Sequence, residues 1–346
     1  MLRLPLATQT LYAELLDRLL AARAMGTGDT PGAIVAKTVR GRTYWYVQRR
    51  TLGRTQQLYL GPDDDTTRAL ISRRRDAWAG AEPERRDRER LSAMLVAGGA
   101  AAAMAGELRL LRWLADARVF EAGAVLVGTQ AFAAYANVLG VSWPGLSART
   151  ADVDLAHGLR VEIGVADRET PLPERLASGH GELRFDPVPP FDRRHPSTSY
   201  LLRGTPLRLD LLTPMVGKPR HGPVLVAALG VAAQPLRFLD YVLESAVPAA
   251  LVGRDGVLVQ VPTPARFALH KLVVAAERPV SQQAKARKDV AQASALIEVL
   301  AEDRPGDLAI AWEALVTRGP GWSKRARAGL ARCDADTALR LRSATG

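Results

Sequence analysis

Hydrophobic positions recur at helical spacing over residues 9–24, where Leu11, Leu15, Leu16, Leu19 and Leu20 mark one face of an amphipathic helix. The pattern then changes. In "GAIVAKTVRGRTYWYVQRRTLGRTQQLYLGP" three short runs of β-branched and aromatic residues are separated by "RGR" and "TLGR", which predicts a small antiparallel meander. From Thr66 to about Leu114 the spacing is helical again, with the charge runs "RRRD" and "ERRDRER" reading as solvated faces. Near Glu121 a buried strand "AVLVG" begins a new unit. A helix from about Gln130 to Leu139, a Gly/Pro/Ser loop and a strand "DVDLA" follow. "TSYLLRGTPLRLDLLTP" reads as a hairpin turning at Gly204-Thr205. After Gln234 the chain reads as mostly helical, apart from an extended "GVLVQVP" before Pro264. No internal repeat is visible.

These patterns predict an α+β protein with a mixed-sheet core. Four units follow: a helix plus three-stranded meander (1–64), a helical linker (65–120), the core (121–233) and a mainly helical C-terminal region (234–346).

Composition narrows the chemistry. Cys333 is the only cysteine, which excludes an internal disulfide framework and a thiolate metal cluster. The five histidines (His157, His180, His195, His221 and His270) have no metal-ligand spacing, so a bound metal would be a hard cation held by carboxylates. The start, "MLRLPLATQTLYAELLDRLL", carries Glu14 and Asp17 where a signal peptide needs an apolar run. The longest apolar stretch, "MLVAGGAAAAMAG", is too short and too rich in Gly and Ala to span a bilayer. A soluble cytoplasmic protein without a membrane partner is therefore expected. Net charge is +11, from 47 basic and 36 acidic residues, which favours a nucleotide or nucleic-acid partner. Tyr44, Trp45, Tyr46 and Tyr59 lie among Arg40, Arg42, Arg49, Arg50 and Arg54. Such a face stacks bases and grips phosphates, or fills a two-layer core against the first helix; both readings stand here.

Asp152 and Asp154 are one of six acid-x-acid pairs in the chain, so the spacing alone says little. Their surroundings set them apart. On a strand, side chains two apart point the same way, and this pair follows a strand, Gly128-Thr129 and a helix. Downstream, "LRLDLL" holds Asp210 inside an otherwise apolar strand, where an unpaired carboxylate is costly; Arg208 is an alternative reason for its presence. Transfer of a nucleotidyl group needs such a set: acids on a rigid strand for two divalent ions, and a glycine with a small hydroxyl at a helix start for the triphosphate.

"VGTQAFAAY…ARTADVDL…LRLDLL" resembles the signature of the nucleotidyltransferase (DNA polymerase β-like) superfamily. With "YWYVQ…YLGP" in front and "VPTPARFALHKLVVAAER…KARKDVAQASALI" behind, the chain is similar to a bacterial family of nucleotidyltransferase-fold proteins over roughly residues 35–300. The "ALHKL…R…KD" block also resembles type IV abortive-infection toxins of this fold. The resemblance implies Mg²⁺ (or Mn²⁺) on Asp152, Asp154 and Asp210, and a two-metal transfer of a nucleoside monophosphate from ATP or another NTP. It implies nucleotide contacts at Gly128, Thr129, Lys271, Lys288 and Asp289, with Arg278 less firmly matched. The acceptor it implies is a hydroxyl on RNA, tRNA-like, or on protein, with an antitoxin-like partner if the toxin likeness holds. The alternative is a catalytically silent member that binds nucleic acid or regulates. Two departures stand out: Gly-Thr replaces Gly-Gly or Gly-Ser, and the loop "GVSWPGLSART" lengthens the gap to Asp152, placed to cap the site or receive the acceptor.

Overall fold

The structure is a computed structural model that describes residues 1–24, 33–51, 54–146, 150–158, 172, 183–190, 192–218 and 222–346, with the backbone alone at 49–51, 54–56, 58 and 77. The side chains of Arg49, Arg50 and Arg54, the acid pair Asp167/Glu169, His180, His221 and the loop tip at 147–149 lie outside the described residues.

A two-residue strand β1 (Leu2–Arg3) leads into helix α1 (Leu6–Ala24). The meander is formed as the sequence predicts: β2 (Ala33–Val39), β3 (Arg42–Thr51) and β4 (Arg54–Pro62) pair antiparallel in that order. Arg40 and Gly41, both at positive φ, make the first turn. Helix α2 (Asp65–Ala97) starts where the Asp64 side chain accepts the Thr67 amide at 2.8 Å. The helical spacing read through to Leu114 is interrupted in the structure. Gly98-Gly99, with Gly99 at φ +87, ends α2, and helix α3 (Ala105–Asp116) begins afresh.

α1 and the meander have different neighbours. Tyr12, Leu15 and Leu19 of α1 cluster with Leu95 of α2 and with Ala250, Val252 and Leu258 of a C-terminal hairpin. The Tyr12 hydroxyl also accepts the Ala250 amide at 3.1 Å. The meander rests on the start of α2, where a Cβ on Gly61 would meet Thr67 Oγ1 at 2.3 Å.

The core follows in chain order. Strand β5 (Ala124–Val127) enters helix α4 (Gly128–Val138), then come β6 (Val141–Ser142), β7 (Asp152–His157), β8 (Phe185–Pro187), β9 (Ser199–Leu202), β10 (Arg208–Pro214), β11 (Val224–Val226) and β12 (Val231–Leu236). The sheet runs β11-β12-β10-β7-β5, with β9 on the first half of β10 and β8 beyond it. β7, β10 and β12 are parallel; the other pairings are antiparallel. Val153, Leu155, Leu209 and Leu211 on one face are at most 2% exposed, and all belong to the main core. Strict alternation along "DVDL" and "LRLDLL" sends the acids to the other face.

After the short helix α5 (Leu239–Leu243) the chain forms a hairpin, β13 (Ala246–Leu251) with β14 (Val257–Pro262). The second strand matches the sequence expectation; the first, "AVPAAL", is a strand inside the region expected to be mostly helical. Helices α6 (Pro264–Glu277), α7 (Gln283–Asp303), α8 (Pro305–Val316), α9 (Pro320–Leu330) and α10 (Ala335–Thr345) complete the chain. The fold is α+β, as expected. Among the described residues no helix is long and apolar enough to cross a membrane.

Helix α9 packs closely on α6, where a Cβ on Gly329 would stand 2.1 Å from the Leu272 carbonyl oxygen. Gly329→Ala must push the two helices apart and should destabilise by about 1–3 kcal/mol. Gly80→Ala, in open space within α2, should instead stabilise by up to about 1 kcal/mol. Thermal unfolding of the two variants checks the contrast; a Gly329→Ala protein as stable as wild type would contradict this packing.

Candidate active site

Parallel pairing of β7 and β10 sets Arg208 opposite Asp152 and Asp210 opposite Asp154. Residues directly opposite share a sheet face, so the three predicted acids come together. Gly128 lies over them. Its φ is +68, and a Cβ there would meet Asp154 Oδ2 at 2.1 Å, so conformation and space both demand glycine. The helix begins two residues earlier than the pattern suggested, and Gly128 and Thr129 form the first turn of α4. Val127 at its cap offers no side-chain acceptor to the leading amides. Such an end favours an anion.

The opposing wall is cationic. Asp289 on α7 is 3% exposed and accepts Lys271 Nζ at 2.7 Å and Arg278 Nε at 2.9 Å. Lys288, one residue before it, donates to Thr129 Oγ1 at 3.0 Å, tying α7 to the glycine turn across 159 residues of chain. Burial, then Lys271, lowers the Lys288 pKa. A cleft of about 290 Å³ separates the walls; Gly128, Asp154, His270, Lys271 and Arg278 line it, with Leu212, Leu236, Val242 and Phe267 among its apolar residues. Of the predicted site residues, Gly128, Asp154, Lys271 and Arg278 line this cleft. Thr129 and Lys288 bond to each other beside Gly128, Asp152 and Asp210 share the sheet face of Asp154, and Asp289 is buried behind Lys271 and Arg278.

Electrostatics mark Asp154 as the unbalanced group. Burial, and next the charge of Asp210, push its carboxyl up to about 6; Lys271 opposes the shift. Asp210 is better compensated, since Arg208 Nε donates to it at 2.7 Å and the Ser199 hydroxyl also donates to it. The sequence reading treated Arg208 only as an alternative explanation for Asp210; it stands in the cluster, and "R-L-D" alternation was the signal. Ser199, on the neighbouring β9, was not anticipated, because only strand pairing brings it near. His270 is held neutral, its pKa pushed down to about 3 by burial and then by Lys271. His157 is buried, with Nε2 2.6 Å from the Ala122 carbonyl oxygen, in keeping with a structural role.

The donor set suits a hard divalent cation, since it is all carboxylate and carries an unpaired negative charge at Asp154. Among the described residues no three acid, imidazole or thiol groups stand as a metal cluster, and Asp210 is engaged by Arg208 and Ser199. Asp152 and Asp154 would hold such an ion, and Asp210 would join on leaving Arg208.

No curated protein and no solved structure matches the chain. A domain of unknown function (DUF6788) matches residues 9–69, covering α1, the meander and the start of α2. The type IV toxin likeness has no counterpart in the families found. A family described as nucleotidyltransferase matches residues 106–317, more than half of the chain, from the start of α3 past the end of α8. That stretch holds the acid-bearing sheet, the glycine turn and the cationic helices together, and the chain belongs to this nucleotidyltransferase family.

Proposed function

We propose that the protein transfers a nucleoside monophosphate from an NTP to a hydroxyl acceptor, with RNA favoured over protein by the net charge of +11. The observation that carries this reading is the Asp154 carboxylate lying against Gly128 in a cleft that Lys271 also lines. Acids for cations, amides for phosphates and lysines for departing charge then surround one space.

Gly128 and the α4 amides would bind the β- and γ-phosphates, with Thr129 held toward them by Lys288. Asp152, Asp154 and Asp210 would hold divalent cations, which when bound would supply charge neutralisation of the triphosphate and activation of the attacking oxygen. Asp210 orients the acceptor hydroxyl and takes its proton as the oxygen attacks the α-phosphorus. The bond from that phosphorus to the bridging oxygen breaks, and pyrophosphate leaves. Lys271 and Lys288 meet the charge that develops on it, and Asp289 positions Lys271 and Arg278 rather than touching substrate. The direct experiment incubates the pure protein with each labelled NTP, Mg²⁺ and total RNA or lysate, and scores label on RNA or protein. Label on neither, with metal-linked NTP binding intact, would favour the silent, regulatory alternative.

Asp210→Asn separates chemistry from binding. Mg²⁺-NTP affinity by calorimetry should stay near normal, while transfer should fall by at least about a hundredfold. Retained transfer would make Asp210 a structural partner of Arg208 and nothing more.

Asp154 gives a pH signature in metal-free buffer. Its folded pKa of about 6 exceeds the value of about 3.9 for an unfolded aspartate, so the folded state holds the extra proton between these limits. Stability should therefore fall as pH rises from about 4 to 6, by roughly 2 kcal/mol after allowance for partial exposure. Asp154→Asn should melt above wild type at pH 8 and converge with it near pH 4, and Mg²⁺ at pH 8 should raise the wild-type Tm alone. An equal gap at both pH values would remove the claim that Asp154 is electrostatically frustrated.

A further inference from the structure

Outside the cleft, the most distinctive surface is one face of the meander. Residues 33–62 contain six basic residues and no acid. Cross-strand register puts Lys37 and Pro62 opposite Tyr44, Tyr59 opposite Tyr46, and Gln57 opposite Gln48, all on one face. The other face carries Val47, 1% exposed, and Trp45, whose indole N–H donates to Asp63 at 2.9 Å near the start of α2. The aromatic residues are thus divided between two jobs. Trp45 serves the packing, whereas Tyr59 is exposed and Tyr44 and Tyr46 are half-buried beside it.

Tyr59 is 52% exposed, and its ring centroid is 5.5 Å from that of Tyr46 and 6.1 Å from that of Tyr44. Lys37 Nζ stands 5.4 Å over the Tyr46 ring and also donates to Gln57. An open hollow between Arg42, Tyr44, Tyr59 and Pro62 adjoins them, with Thr43 and Asp63 at its edge. Asp63 is occupied by Trp45 and Arg68, so it does not leave a free acid there. Rings in a row with cations around them are costly to leave in water and unnecessary for a three-stranded sheet already seated on α2.

We infer that this tyrosine face docks single-stranded RNA, whose unpaired bases stack on Tyr44, Tyr46 and Tyr59 while Lys37 and Arg42 meet its phosphates. The charge of the segment selects a polyanion. Exposed ring faces select unpaired bases over a duplex, whose bases are already stacked. The Gln48 and Gln57 amides have N–H donors beyond their bonds to each other and to Lys37, and these meet ribose 2′-hydroxyls, which selects RNA over DNA. That this RNA is the acceptor rests on the transfer reading above; its docking does not.

The test uses the full chain and a fluorescein-labelled single-stranded RNA of about 12 nucleotides, with anisotropy read across a salt series. Replacing all three tyrosines with alanine should weaken binding at least about tenfold, and replacing them with phenylalanine should keep it within about threefold, since rings stack with or without hydroxyls. Lys37→Ala with Arg42→Ala should reduce the salt slope by about 1.4. Circular dichroism checks the fold; if the triple alanine protein is unfolded, Tyr59→Ala and the charge pair decide. Unchanged affinity in folded alanine variants, no binding by wild type, or equal affinity for duplex RNA or single-stranded DNA would each overturn the inference. NTP binding and labelling of the same RNA are measured on the same samples. Wild type that binds the RNA and never labels it would overturn the reading of this RNA as acceptor while leaving docking intact. Equal labelling by the folded alanine variant would remove the tyrosine face from the acceptor's path.

Discussion

The structure depends on the parallel register of β7 with β10. Five residue pairs fix it, and it sets Asp154 against Asp210 on the half-buried polar face of the sheet. Those two carboxylates repel each other, so the pairing cannot be held by the residues that give the site its chemistry. It is held from behind. Val153, Leu155, Leu209 and Leu211 are sealed in the main core, and a slip of one residue would exchange them with the acids. The hydrophobic face specifies the register, and the polar face is carried along at a cost in stability.

Charge on the sheet is answered by charge on the helices. Asp289 is the hinge of that arrangement, because a buried carboxylate between Lys271 and Arg278 fixes two cations that would otherwise swing into solvent. Removing it would leave both without their partner in a part-buried setting, which is costlier than the pair itself is stabilising. Lys288 is drawn in the same way to Thr129, and so the glycine turn, the acid strand and α7 share one network although none is near another in sequence.

That separation explains what could be read in advance. Period-two alternation exposed β7 and β10 and the faces their acids occupy, and the Gly128-Thr129 turn followed from a strand running straight into a helix. Lys271, Lys288 and Asp289 were reached only through family likeness, since nothing local on α6 or α7 distinguishes them from solvated helix residues. Ser199 was invisible for a related reason: its closeness to Asp210 comes from strand pairing, not spacing. β13 was missed because Ala246, Ala249 and Ala250 follow helix propensity, while Pro248 sits in a two-stranded hairpin where a missing N–H is tolerated.

Net charge hides a division of labour. The meander segment is basic without a single acid, while one face of the sheet beside the cleft carries three carboxylates. The meander rests on the first turns of α2, and α1 packs toward the far end of that helix, whose 33 residues span about 50 Å at 1.5 Å per residue. A polyanion is drawn to the first surface and repelled by the second until cations balance Asp152, Asp154 and Asp210. On the readings proposed above, an RNA strand held by the tyrosine face cannot bring its phosphates against the acids of an empty cleft at no cost. Loading the cleft with a cation-bound NTP removes that repulsion. On those readings the unbalanced Asp154 carboxylate would gate the acceptor through charge, with Asp210 leaving Arg208 as the cation binds.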